Sequence, residues 1–155
     1  MKQNAPTPSR AIQIITTIYF LLTVGLFVVG LKAPVLLAAA LLLLLLGAYC
    51  YWFWSPVAYE LEGDTLTVHF RASRMVFPAV SRCSPMEKRS SLLTLRLWGN
   101  GGVFAGSGIF WNKRYGVFRA YVTRSKAEEL VLVESARGKV IISPERPEEF
   151  LGQIK

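Results

Sequence analysis

Two long uncharged runs open the chain, and an alternating pattern then replaces them. Ala11 to Leu31 holds 21 residues without a charge, and after Lys32 a second run of 22 extends from Ala33 to Trp54. At about 1.5 Å of rise per residue, each reaches roughly 30 Å, the thickness of a bilayer's hydrocarbon core. Leu36 to Leu46 contains only Leu and Ala, so this run has no polar stripe to turn toward water. The break Gly30-Leu31-Lys32-Ala33-Pro34 combines a helix terminator, a charge that resists burial and a proline suited to a first helical turn. The pattern predicts a two-helix transmembrane hairpin over 11–31 and 33–54, preceded by a cytoplasmic tail of residues 1–10. A cleaved signal peptide fits less well, because signal cores run to about 7–15 residues and a second span follows at once.

From Val57 the period becomes two. Leu66, Val68 and Phe70 fall on one face of a strand and Thr67, His69 and Arg71 on the other. Tyr59 to Glu62 precedes them, and Gly63-Asp64 suits a hairpin turn with a positive φ at its first residue. Further strands are expected at Arg74–Phe77, Val80–Pro85, Leu93–Trp98, Val117–Thr123, Leu130–Glu134 and Lys139–Ser143, with Ala136-Arg137-Gly138 turning the last pair. A helix is expected from Pro147 to Ile154, where proline opens the turn, Glu148 and Glu149 complement the helix dipole, and Phe150, Leu151 and Ile154 share a face. Arg146 occupies the cap position, where Asp or Ser would accept a backbone hydrogen bond.

Charge adds orientation. The chain carries a net +8, and all ten acidic residues lie after residue 56. Two spans return the chain to its starting side. The turn between them has only Lys32, whereas Lys2, Arg10, Arg71, Arg74 and Arg82 lie near the membrane on the other side, which predicts an inner-membrane protein with both termini cytoplasmic. Tyr49, Tyr51, Trp52, Phe53 and Trp54 form an aromatic belt, with Tyr51, Trp52 and Trp54 as interface anchors. The basic excess favours anionic headgroups beside a membrane. Cys50 and Cys83, one in a predicted span and one outside it, suggest neither a disulfide nor a CxxC pair.

After Pro56 the chain resembles the bacterial pleckstrin-homology-like (PH-like) domain proteins, in particular small members with two N-terminal helices. The residues that carry the resemblance are YELEGDTLTVHF, the central LRLWGNGGVFAGSGIFWNKRYGVFRAYVTR, and the ending VLVESARGKVIISPERPEEFLGQI. It implies a bent antiparallel β-sandwich over 57–155 with a C-terminal capping helix, and no catalytic residues. The lysine and Arg-x-Arg pattern of eukaryotic phosphoinositide-binding members has no counterpart around Gly63-Asp64.

Candidate chemistry is sparse. Gly99 to Tyr115 mixes glycines with large apolar side chains, but contains neither GxGxxG nor GxxxxGK[ST], so the glycines are read as bulge and turn formers. Phe104, Phe110 and Trp111 are candidates to face the bilayer or a partner's transmembrane helix, with Lys113 and Arg114 meeting phosphates. His69 shows no evident carboxylate partner. Ser84, Ser90 and Ser91 lack a GxSxG setting, and Glu128-Glu129 reads as a solvated turn. Neither a metal site nor a cofactor is expected, and no helix-turn-helix, zinc or RNP signature points to nucleic acid. The expectation is a non-enzymatic, membrane-anchored binding module that recognises a protein segment or anionic headgroups. The alternative is a structural subunit bound through its helices to another integral protein or to a second copy.

Overall fold

A computed structural model describes residues 1–86 and 94–152. The chain opens with β1 (Lys2–Asn4), α1 (Arg10–Gly30) and α2 (Pro34–Tyr49), the last continuing through a wider turn over Cys50–Trp54. There follow β2 (Pro56–Glu62), β3 (Thr65–Phe70), β4 (Arg74–Phe77) and β5 (Arg82–Pro85). Next come β6 (Thr94–Gly101), β7 (Gly106–Asn112), β8 (Gly116–Val122), β9 (Val131–Ser135), β10 (Gly138–Ile142) and α3 (Pro147–Leu151). Leu93, Ser90, Ser91 and Ile154, which figured in the sequence expectations, lie outside the described residues.

Both N-terminal helices are long and apolar enough to cross a membrane, and only 11% of the most apolar stretch of each is covered by protein. Water would leave Leu21, Leu22, Val35 and Leu45 bare, a surface that lipid satisfies. The helices pack against each other where one is small. A side chain at Gly30 would meet the Leu37 backbone nitrogen at 2.6 Å, and one at Gly47 would meet the Tyr19 ring at 2.9 Å. The Tyr19 hydroxyl donates to the Leu43 carbonyl across the pair.

The strands form two sheets, ordered β1-β2-β3-β4 and β5-β9-β10-β8-β7-β6. Tyr59, Leu61, Leu66, Val68, Phe70 and Phe77 of the first meet Tyr121, Val131, Val133, Val140 and Ile142 of the second, and Phe150 of α3 completes this core. The Tyr59 hydroxyl, fully buried, donates to the Tyr121 carbonyl at 2.8 Å. The hairpin at Gly63 forms with φ 57, as its turn requires.

Four features differ from the sequence reading. Residues 2–4, expected in a tail, form a strand antiparallel to β2, with Gln3 opposite Tyr59. The polar segment is too short to show alternation, and pairing rather than patterning makes it a strand. Gly106–Asn112, read as a glycine-rich connection, is the interior strand β7 between β6 and β8. Third, β10 runs parallel to β8 because β9 passes to the outside and β10 returns between them, in a sheet otherwise antiparallel. His69 does have a carboxylate partner: its Nε2 lies 2.7 Å from Glu60 Oε2 on the neighbouring strand.

Candidate functional site

The β6–β7 ribbon reaches back along the helix pair. Its bend brings Phe104 against Phe20 of α1 and Tyr51 at the end of α2, with ring centroids 5.9 and 5.1 Å away. Phe104 takes φ 65, a left-handed conformation unusual for an aromatic residue, and its N–H donates to Thr16 Oγ1 at 2.9 Å. Ser107 donates to the Trp54 carbonyl at 2.5 Å. The ribbon can lie this close because Gly99 and Gly108 face each other in register. A side chain at Gly99 would come within 2.5 Å of the Gly108 Cα.

The β3–β4 turn meets the same helix end. The Arg71 guanidinium lies 3.9 Å over the Tyr51 ring, a cation–π contact, and the Ala72 N–H donates to the Trp52 carbonyl at 3.1 Å. Tyr51 is therefore half-buried between Arg71 and Phe104, whereas Trp52 is 49% exposed and Trp54 shares a cavity with Trp98 of the ribbon.

The residues singled out from the sequence do not form one cluster. Phe104 sits at the helix end. Phe110 stacks on Phe118 with centroids 6.0 Å apart, on the face of the larger sheet away from the main core. Trp111 points to the opposite face, in register with Leu95 and Val117. Lys113 and Arg114 occupy the β7–β8 turn, at the other end of β7 from the helices. At about 3.4 Å per residue the length of that strand separates them from Phe104 by roughly 20 Å.

What the sequence reading missed lies on β6. This strand is the sheet's edge, and Leu95, Leu97 and Trp98 are 62%, 56% and 70% exposed. A bulge between Arg96 and Trp98 shifts the register, so that Leu95, opposite Trp111, and Trp98, opposite Ile109, fall on the same face of the ribbon. Beside the strand is a cavity of about 400 Å³ whose wall includes Tyr19, Leu46, Cys50, Trp54, Arg96 and Trp98. Two of its polar side chains are engaged. Tyr19 is bonded to Leu43, and Asn100 holds the bend, its Oδ1 accepting the Val103 N–H at 3.1 Å. Among the described residues, Arg96 is the only charged one lining it, and there it meets no carboxylate and no hydrogen-bond acceptor. The arrangement can hold a negatively charged group next to apolar surface.

Among the described residues, no three His, Cys, Asp or Glu side chains come together as metal ligands would. Cys50 and Cys83 are free thiols.

Comparison with curated proteins and with solved structures finds no match. A family model does match: that of the bacterial PH domain, over residues 57–155. That span holds all but the first residue of β2, the described strands β3 to β10 and α3, and with two sheets closed by a C-terminal helix, the chain belongs to the bacterial PH domain family.

Proposed function

We propose that this chain is a membrane-anchored, non-enzymatic binding module that holds its β6–β7 ribbon in the headgroup layer and binds anionic lipid there. The helix pair crosses the bilayer as a hairpin, with both termini on the cytoplasmic side. The observation that carries the reading is the position of Leu95, Leu97 and Trp98, exposed on an edge strand whose far end packs on the aromatic exit of α2. Exposed apolar edges are costly in water and prone to association. Beside a bilayer the same side chains gain an apolar medium, and tryptophan favours the interface. Arg71 and Arg96 supply positive charge at that level, which attracts an anionic leaflet.

The test uses the full chain in liposomes, with Trp52, Trp54 and Trp111 replaced by Phe so that Trp98 alone fluoresces. Bromines placed near the glycerol end of the acyl chains should quench Trp98 more than bromines at the chain ends. Absence of quenching at any depth would remove the headgroup-layer placement. Orientation is read separately from Cys83 in a Cys50→Ala variant, which an impermeant maleimide should label in inside-out vesicles but not in right-side-out ones.

A further inference from the structure

The cavity between β6 and the end of α2 has the composition of a site for one molecule. It is about 400 Å³, within the range of about 300–1,000 Å³ common for small-ligand pockets. Leu46, Cys50 and Val103 give it apolar walls, Trp54 and Trp98 flank it, and among the described residues Arg96 brings the one formal charge. The Arg96 guanidinium lies against Gly101, where any side chain would collide with it. The glycine thus leaves room for the guanidinium at the cavity wall. The neighbouring polar groups Tyr19 and Asn100 are occupied by backbone partners.

From this we infer that the cavity is a binding site for a single anionic phospholipid, its phosphate paired with Arg96 and its chains running along the end of α2. Charge and shape both select this occupant. A guanidinium is planar, permanently charged and matched to phosphate oxygens, with which it forms paired hydrogen bonds. The apolar wall continues onto the exposed surface of α2 at Leu45 and Leu46, which gives acyl chains a path that a soluble anion would not use. The inference rests on the placement proposed above, since a lipid reaches the cavity only if β6 lies at the membrane surface. Arg96 is a binding residue in this site, whereas Lys113 and Arg114 lie too far away to contribute.

Native mass spectrometry of the full chain released from detergent tests it, with phosphatidylglycerol or phosphatidylcholine added stepwise. One phosphatidylglycerol should be retained more tightly than phosphatidylcholine. Arg96→Gln should weaken that retention by about tenfold or more, the loss expected when a hydrogen bond to a charged group is removed. Arg96→Lys should keep part of the preference, and Lys113→Gln with Arg114→Gln should leave it unchanged. Equal retention by the wild type and Arg96→Gln would overturn the site, as would displacement of the lipid by millimolar inorganic phosphate, which would mark a general anion site. The two proposals fail separately. If Trp98 is quenched by brominated lipid and Arg96→Gln binds normally, the interfacial placement stands and the cavity assignment falls; an unquenched Trp98 removes both.

Discussion

The backbone N–H of Phe104 is bonded to the side chain of Thr16, 88 residues earlier in the chain. This bond and the contacts of the Phe104 ring with Phe20 and Tyr51 fasten the β6–β7 bend to the helix pair. A backbone conformation that most residues avoid is maintained there.

Thr16→Val should lower the stability of the full chain in detergent by about 1 kcal/mol, the usual net worth of one hydrogen bond. Phe104→Ala should cost more, about 2–4 kcal/mol, through loss of the ring contacts. Phe104→Gly should be the milder of the two truncations, because glycine accepts the left-handed conformation without penalty. Thermal unfolding would check the ranking, and alanine proving milder than glycine would contradict the strain.

Gly99→Ala and Gly108→Ala should each destabilise by about 1–3 kcal/mol, because a methyl group at either site meets the facing backbone and both positions take a positive φ. Gly25→Ala, with no atom within 4 Å of the added carbon, should show no such loss. Melting temperatures of the three variants, measured side by side, separate the ribbon's own constraint from a general effect of glycine replacement.

Gln3 ties the first strand to the last helix. Its amide donates to Glu149 Oε2 at 3.1 Å, and its Oε1 accepts the Arg146 N–H at 3.0 Å. It thus satisfies the N-terminus of α3, which Arg146 cannot cap with its own side chain. Gln3→Ala should cost about 1 kcal/mol, as loss of a helix cap does, and should raise hydrogen exchange at Arg146 and Glu149. Unchanged exchange at both would show that α3 does not depend on the first strand.

Burial raises the Tyr59 phenol above its ordinary value of 10.0, and does the same for Tyr121. The folded state therefore keeps protons that the unfolded chain loses. Their stabilisation is complete below about pH 10 and declines as pH rises toward the folded values. Tyr59→Phe should be less stable than the wild type at pH 7 by about 1 kcal/mol, for the lost hydroxyl bonds. The two stability curves should converge above about pH 10, and a parallel decline would show that Tyr59 does not drive the alkaline loss.

The helix pair and most of the strands were legible because their patterns are long and local. Leu36 to Leu46 admits one solvent, and Leu66, Val68 and Phe70 alternate cleanly. The glycines of β7 hid an interior strand, since glycine weakens strand propensity, and the close approach of β6 together with a positive φ explains Gly108. Lys2–Asn4 carries no pattern of its own. The candidate site was least legible: Arg96 and Trp98 read as ordinary members of an alternating strand. What distinguishes them is that β6 forms an edge and that α2 ends beside it, relations made by the tertiary fold. Lys113 and Arg114 were grouped with Phe104 by closeness in sequence, and an intervening extended strand carries them to the opposite end of the sheet.

The pairing of β1 with β2 makes two neighbouring strands the ends of one long excursion through both helices. Synthesis meets this order in time. Strand β1 leaves the ribosome first and waits, for roughly 3–10 s at about 5–20 residues per second, until β2 follows it out. The small sheet cannot be completed before both helices have been made, so its first strand must stay unpaired until β2 reaches it.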